Sequence, residues 1–300
     1  MAHPYQFSLC HIDVARNSTD DFNPFHDKTK WQNIAGNPFR GPIVLGFQLV
    51  ALLSQEIVAF RQNNGEQQLL DRKSLRFSCY QLKFASAVKP EDIVTVALKK
   101  SKYQEDAENS ILSNRLLLKN NGKLAIMGFK KESRIPLVAR NARLKTIPDI
   151  DKIEDRTFVD GGSLFFKRKF LNTANAKNFL VGSLIEQSEY FDEIEERVNF
   201  PEIFIVALIS CGLLERAQHL KHDFLANPMV YVSMAICINR VLVRGLRSND
   251  RLGLLVDKVE TDSESDLQVF QCDGLLKNNQ LVFSCLVELA PLEKILKEGN

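Results

Sequence analysis

Asp21, Phe22, Asn23, Pro24, Phe25 and His26 place a carboxylate and an imidazole five residues apart, on either side of an Asn-Pro step. Proline fixes φ, and an asparagine amide can bind the backbone two residues on, so such a step holds its neighbours in one turn. An acid and an imidazole held near one point can take a proton from a bound ligand and return it. The same residues also suit a plainer reading, a capping carboxylate and an exposed histidine beside a turn. Spacing alone leaves both open.

Two long apolar segments are the candidates for positioning that loop. Pro42 precedes Ile43, Val44, Leu45, Gly46, Phe47 and Gln48, and Pro201 precedes Glu202, Ile203, Phe204, Ile205 and Val206. Proline suits a first helical turn, where its missing N–H has no partner to lose, so each proline is expected to open a helix. Both runs are apolar on nearly every side, which predicts helices buried within a wrapping structure. After the first, residues 75–84, 93–98, 111–118 and 123–129 read as strands; after the second, 230–238, 251–259, 267–272 and 281–289 do. Lys89-Pro90, Asn120-Asn121-Gly122, Ser248-Asn249 and Asn278-Asn279 supply the turns.

The two halves are copies of one pattern. Leu117, Leu118, Lys119, Asn120 and Asn121 recur as Leu275, Leu276, Lys277, Asn278 and Asn279, a shift of 158 (275 minus 117). Between the halves, residues 132–156 are rich in charge, contain Pro136 and Pro148 and lack aromatic residues, as a linker would. The expected organisation is a first unit over 1–135, a linker over 136–157 and a second unit over 158–300. The expected fold is α+β, a double hot-dog: two antiparallel sheets, each wrapped around a long buried helix and paired side by side. Applied to Asp21, Asn23 and His26, the shift gives Phe179, Val181 and Leu184, so the second unit is expected to lack the motif and the chain to carry one site.

Composition removes several function classes. The chain has 300 residues, 45% hydrophobic and 25% charged, which excludes a disordered polypeptide. A net charge of +2, from 39 basic and 37 acidic residues, gives no field that would make nucleic acid or an anionic membrane the main partner. The longest charge-free apolar stretches, 41–55 and 203–214, fall short of the roughly 20 residues that cross a bilayer. The N-terminus has no basic region leading into an apolar core, so a cytoplasmic location is the expectation. The six cysteines form no CxxC pair and read mostly as small buried hydrophobes, while His219 and His222 beside Asp223 suit a solvated helix end better than a metal site. No metal is expected.

The motif resembles the signature of the MaoC-like (R)-specific enoyl-CoA hydratases and 3-hydroxyacyl-thioester dehydratases: Asp21, a variable residue, Asn23-Pro24, an apolar residue, then His26. The family's next landmark, an Ile-Val-His-Gly-Met-like step, stands here as Ile43, Val44, Leu45, Gly46 and Phe47, with the glycine kept and the histidine replaced by Leu45. Ser54 lies eight residues past Gly46, where some members carry an active-site serine, and Pro90-Glu91-Asp92 stands in for a family Gly-Asp. The resemblance covers about residues 10–130.

It implies a lyase of fatty acid metabolism that needs no cofactor. Its substrate would be a trans-2-enoyl thioester of CoA or acyl carrier protein, hydrated to the (R)-3-hydroxyacyl thioester, or the reverse. Asp21 and His26 would hold the water and Gly46 would bind the thioester carbonyl through its backbone N–H. Asn23 would orient the loop, with Ser54 and Phe47 supporting the site, and Lys28, Lys30, Arg40, Lys73 and Arg76 are a candidate group for the carrier's phosphates. The expected state is a monomer whose halves form a pseudo-dimer, or a weak homodimer, with no nucleic-acid or membrane partner. A non-catalytic acyl-CoA or acyl-carrier binding module and a hot-dog thioesterase are the alternatives.

Overall fold

The computed structural model describes residues 4–259 and 266–298. The first half runs β1 (Tyr5–Gln6), α1 (Leu9–Thr19), α2 (Gly46–Asn63), α3 (Gln67–Arg72), β2 (Phe77–Phe84), β3 (Ile93–Leu98), β4 (Lys102–Glu105), β5 (Ser110–Asn120) and β6 (Lys123–Ser133). The second runs β7 (Thr157–Val159), β8 (Leu164–Phe170), α4 (Thr173–Gly182), β9 (Phe191–Asp192), β10 (Arg197–Val198), α5 (Glu202–Ala207) and α6 (Ile209–His219). It closes with β11 (Met229–Asn239), α7 (Arg240–Arg244), β12 (Arg251–Val259), β13 (Gln268–Leu276), β14 (Gln280–Pro291) and α8 (Leu292–Glu298). Eight of these strands are the eight that alternation marked.

The two expected sheets are one. Their order is β1-β3-β5-β6-β2-β11-β14-β13-β12-β8-β7, with β4 on β5, and the halves join where β2 pairs antiparallel with β11 from Phe77↔Asn239 to Lys83↔Ser233. Joined in this way, neither half exposes the N–H and C=O groups of that strand as a free edge. Against the sheet lies α2, whose Phe47, Leu49, Val50, Ala51, Leu52, Leu53 and Ile57 are all buried. Such all-round burial accounts for a helix with almost no polar face.

Two expectations need correction. Pro42 does not open a helix: residues 42–45 stay outside it and α2 begins at Gly46. The chain there is held from the side, by Ile43 N–H donating to the Phe25 carbonyl (3.0 Å) and Val44 N–H to the Val88 carbonyl (2.8 Å). Its counterpart Pro201 does stand next to a helix, as the cap of α5, but the second buried helix is divided into α5 and α6 at Leu208.

The segments leading into the two buried helices also correspond differently from the strands. α1 packs on α4 so closely that a Cβ on Gly182 would meet the Ala15 Cβ at 2.7 Å and the His11 carbonyl at 2.8 Å. The first 3-10 turn after each helix is Pro24–His26 and Gln187–Glu189, a shift of 163 (187 minus 24) and not 158. Phe179 and Val181 are therefore inside α4, and the positions matching Asn23 and His26 are Glu186 and Glu189. The motif is still absent from the second half.

Residues 136–157 lie over the second half. Ile150 and Ile153 are buried there beside Phe166 and Leu255, and Ile150 N–H donates to Asn279 Oδ1 (3.0 Å). Among the described residues no helix is long and apolar enough to cross a membrane. Five cysteines are buried, whereas Cys10 is exposed.

On β13, Asp273 is fully buried, its Oδ1 accepting from Ser284 Oγ (2.5 Å) and Gln271 Nε2 (3.3 Å). Burial pushes its carboxyl up from 3.8 to about 6, against the bonds from Ser284 and Gln271. The folded state therefore binds a proton that the unfolded chain has released, and stability falls as pH rises from about 4 to about 6. Two pH units correspond to about 3 kcal/mol. Asp273→Asn removes that dependence and raises the melting temperature at pH 7; chemical denaturation of both proteins at pH 4.5 and pH 7 measures it, and equal slopes would contradict it.

Candidate active site

The loop that carries Asp21 and His26 is fixed by local bonds that its residue types dictate. α1 ends at Asp20, in a left-handed conformation (φ 54°), and Arg16 Nε donates to the Asp21 carbonyl (3.0 Å). Asp21 Oδ1 accepts from Asn23 N–H (3.0 Å) and Asn23 Oδ1 accepts from Phe25 N–H (3.1 Å), two successive turns of the kind short polar side chains make. Pro24 then takes the first position of the 3-10 turn. Arg16 also pairs with Asp27 (2.9 Å), bracketing the motif.

This arrangement buries both titratable groups, with Asp21 at 4% and His26 at 6% exposure. His26 Nδ1 lies 2.8 Å from the Ile43 carbonyl. A carbonyl can only accept, so that nitrogen carries the hydrogen and Nε2 is the acceptor of the neutral ring. A capping carboxylate with an exposed histidine does not describe these positions. Asp21 does bind a backbone N–H, but His26 is enclosed.

Asp21 lines a cavity of about 290 Å³ and His26 a neighbouring one of about 280 Å³, and Asn23, Phe25, Met229 and Tyr231 form walls of both. The first is lined on its far side by Leu213 and Leu214 of α6, by Leu220 just past its end, and by Phe270 of β13. The second is floored by Gly46, the first residue of α2. The first N–H groups of a helix have no carbonyl partner within it and sit at the positive end of its dipole, which is where an oxyanion is held. A Cβ on Gly46 would meet Phe84 Cε1 at 3.3 Å, so glycine keeps this approach open. Gln48 anchors the helix start: its Oε1 accepts from Leu45 N–H (3.0 Å) and its Nε2 donates to carbonyls of His11 (3.0 Å) and Gly182 (2.6 Å).

Ser54 is not brought to this site. Eight residues along an α-helix is about 12 Å, and Ser54 Oγ lies 2.7 Å from the Tyr80 hydroxyl oxygen at a third cavity of about 340 Å³. Phe47 lines neither chamber; fully buried, it packs edge-on against Tyr231 (6.2 Å) and supports that wall from behind. Lys28, Lys30 and Arg40 are exposed on the loops around the motif, whereas Lys73 and Arg76 follow the far end of α2, where Lys73 pairs with Glu105 (2.9 Å). Among the described residues no group of three His, Cys, Asp or Glu could hold a metal ion. His219 is exposed at the end of α6, its ring against Phe158 and Phe165, and His222 lines the first cavity.

The residue that sequence reasoning missed is Tyr231, near the start of β11. Its hydroxyl lies 3.4 Å from Ser210 Oγ, and its ring packs on Phe47 and Phe84. Desolvation and the nearby Asp21 charge push its phenol well up, so it stays a neutral hydrogen-bond donor at the junction of the two chambers. No local pattern marks it, because its place beside Asp21 comes from the pairing of β11 with β2 across the halves.

The third cavity mirrors the first. It is lined by α2 and by Glu189, Phe200 and Glu202 ahead of and at the start of α5, as the first is lined by α6 and by the loop ahead of α2. Its chemistry is different. Lys130 Nζ contacts Glu202 Oε1 (2.7 Å), Glu132 Oε1 (3.1 Å) and Ser78, and lies 3.9 Å from the Tyr80 ring centroid. Burial works against the Glu202 charge, but Lys130 and the Tyr80 and Ser78 hydroxyls hold its carboxyl down at about 2.

No protein-family model matches the sequence, and no curated protein does. Solved structures match the fold over nearly the whole chain. A MaoC-like dehydratase superposes with a TM-score of 0.60 at 9% identity, over 97% of this chain and 96% of its own. A conserved hypothetical protein of Mycobacterium tuberculosis, described as essential for bacterial survival during infection and as having a double hot-dog fold, gives 0.58 at 11%, over 96% and 94%. An acyl-ACP thioesterase of Bacteroides thetaiotaomicron gives 0.50 at 10%, over 96% and 97%. The chain thus has the double hot-dog fold.

Proposed function

We propose that the chain hydrates trans-2-enoyl thioesters of CoA or acyl carrier protein to (R)-3-hydroxyacyl thioesters, or catalyses the reverse dehydration. The observation that carries this reading is the enclosure of Asp21 and His26 in adjoining chambers, with the Gly46 helix start in one of them. In the proposed reaction the thioester carbonyl accepts from Gly46 N–H, which stabilises the enolate-like charge as it develops. Water lies between the two side chains. His26 Nε2, the acceptor left by the Nδ1 bond to Ile43, takes a proton as the water oxygen adds to the β carbon. The acid–base pair delivers one proton to the α carbon, so the elements of one water are added and the site is restored.

Tyr231, close enough to Asp21 to feel its charge, stands at the junction of the two chambers as a neutral phenol. The apolar lining of the first chamber, from Leu213 to Phe270, accepts the acyl chain. Both walls come from one chain, so a single copy supplies a complete site. Fatty-acid chemistry in the cytoplasm is the setting this reaction implies.

The fold of the acyl-ACP thioesterase favours a second reading, in which water attacks the carbonyl carbon and thiol is released. One experiment separates the two. Enoyl-CoA substrates of graded chain length are followed for loss of ultraviolet enoyl absorbance and, in parallel, for free thiol. The proposal expects absorbance loss without thiol; thiol release would replace it with the thioesterase, and tight binding without either would leave a binding module. Gly46→Ala is expected to press Phe84 into the chamber and lower kcat/KM about 10-fold, a cost of about 1.4 kcal/mol at the transition state, while the melting temperature holds. An unchanged kcat/KM would remove Gly46 from the mechanism.

A further inference from the structure

Cys79 on β2 and Cys237 on β11 are direct cross-strand partners at the seam that joins the halves, with their Sγ atoms 2.7 Å apart. Their separation in sequence, 158 residues, is the repeat shift itself. The two thiols are therefore the same position in the two copies, meeting where the copies meet. Both are free and almost fully buried, at 2% and 4% exposure. A disulfide of about 2.05 Å needs an approach of only about 0.7 Å more.

One of the two is reachable. Cys237 lines a cavity of about 490 Å³ with Pro136, Leu137 and Val138, the residues that follow β6. Its sulfur is lowered as an acid by its bond with Cys79, then by the backbone N–H groups of Leu137 and Val138 and by the nearby Lys130, while burial opposes them. Cys79 is pushed up by the bond with Cys237 and by burial, against Leu137 N–H and Ser133, whose Oγ lies 3.9 Å away. The Cys79 thiol donates to the Cys237 sulfur, so the sulfur that faces the cavity is the acceptor and the one behind it holds the proton. Cys272 and Cys285, also cross-strand partners, are 0% exposed and both are held well above the usual thiol range by burial.

We propose that Cys79 and Cys237 are an oxidative modification site for a small hydroperoxide, which converts the pair to a reversible disulfide cross-linking the two halves. The Cys237 thiolate attacks a peroxide oxygen, the O–O bond breaks, and the departing hydroxide takes a proton to leave as water. The product is a sulfenic acid. Cys79 sulfur then attacks Cys237 sulfur; its proton joins the hydroxyl that leaves, giving a second water and the S–S bond. Two thiols are oxidised and one hydrogen peroxide is reduced to two waters. The link closes a loop of 158 residues, and loops this long gain most from closure. The site rests on the geometry of the seam and is independent of the hydratase reading.

The test uses the full chain as Cys10→Ser, which removes the exposed thiol. The folded protein is treated with hydrogen peroxide, alkylated in denaturant and digested for mass spectrometry. Expected is one linked peptide pair holding Cys79 and Cys237, lighter by two hydrogens than the reduced pair, reversed by dithiothreitol and missing in Cys237→Ser, with Cys272 and Cys285 still alkylated. The oxidised protein should melt about 5 °C or more above the reduced one. Recovery of both cysteines as alkylated thiols, or of Cys237 as sulfinic acid without the link, would overturn the proposal; so would equal cross-linking of Cys272 to Cys285.

Discussion

Asp21→Asn and His26→Ala are each expected to lower the turnover of an enoyl thioester about 1000-fold, with KM changed far less, because each would remove half of the proposed acid–base pair, worth roughly that much. Asp21→Asn is the cleaner of the two. An amide oxygen can still accept from Asn23 N–H, so the loop turn survives and only the proton chemistry goes. His26→Ala also deletes the bond to the Ile43 carbonyl, so its melting temperature is measured alongside. The double variant should be no worse than either single one, since the residues act as a unit. Initial rates from enoyl absorbance decide the matter; a variant that keeps its fold and loses less than about 10-fold removes that residue from the chemistry.

The second large effect is on stability. Lys130→Met takes away the ammonium that pairs with Glu202, in a place where Lys130 is 3% exposed, while Glu132 keeps its buried pair with Arg61 (2.8 Å). Breaking a buried ion pair from one side costs about 3–5 kcal/mol, and the lower end of that range applies here, because Glu202 keeps the Tyr80 and Ser78 hydroxyls as partners. The pH dependence should reverse. In the native protein the Glu202 carboxyl is held at about 2, so its contribution is present above pH 4.5 and is lost as pH falls toward 2. In the variant Glu202, buried without its ammonium, gains by taking up a proton, and stability rises as pH falls from 7 to 5. Urea midpoints at the two pH values measure both statements. Adding Glu202→Gln to Lys130→Met should recover much of the loss, and a midpoint for Lys130→Met within about 1 kcal/mol of the native value would show that the cluster is not a stabilising unit.

Much of the architecture could be read from residue order because it rests on local regularities. Alternation marked the eight principal strands, since period two is forced by the pleat. The paired Asn residues at 120–121 and 278–279 marked turns, and Asn121, Asn278 and Asn279 do adopt the positive φ that asparagine tolerates. Pro42 misled because a proline suits several extended conformations as well as a helix start, and the bonds that hold residues 43 and 44 outside the helix come from Phe25 and Val88. The shift of 158 misplaced the second motif because the connection from the 3-10 turn to the buried helix is shorter in the second half (189 to 202) than in the first (26 to 46), a difference that alters no strand pairing. α1 and α4 escaped notice since their stability comes from contact with each other, through Ala15 and Gly182, and not from a strong apolar stripe.

The candidate site divides in the same way. By itself the sequence determined the loop: Asp21, Asn23, Pro24 and His26 make their bonds within a few residues of one another, and residue type and spacing dictate those bonds. Only the tertiary structure decided what the loop faces. Ser54, on the right helix, turns to Tyr80 and a different cavity, while Tyr231, more than 200 residues from Asp21 in sequence, stands beside it. The physical reason is that β2 and β11 share one ladder of backbone hydrogen bonds, and such bonds are indifferent to the side chains they align. Which side chain from one half enters the other half's chamber is set by that register, and the register is a property of the whole sheet.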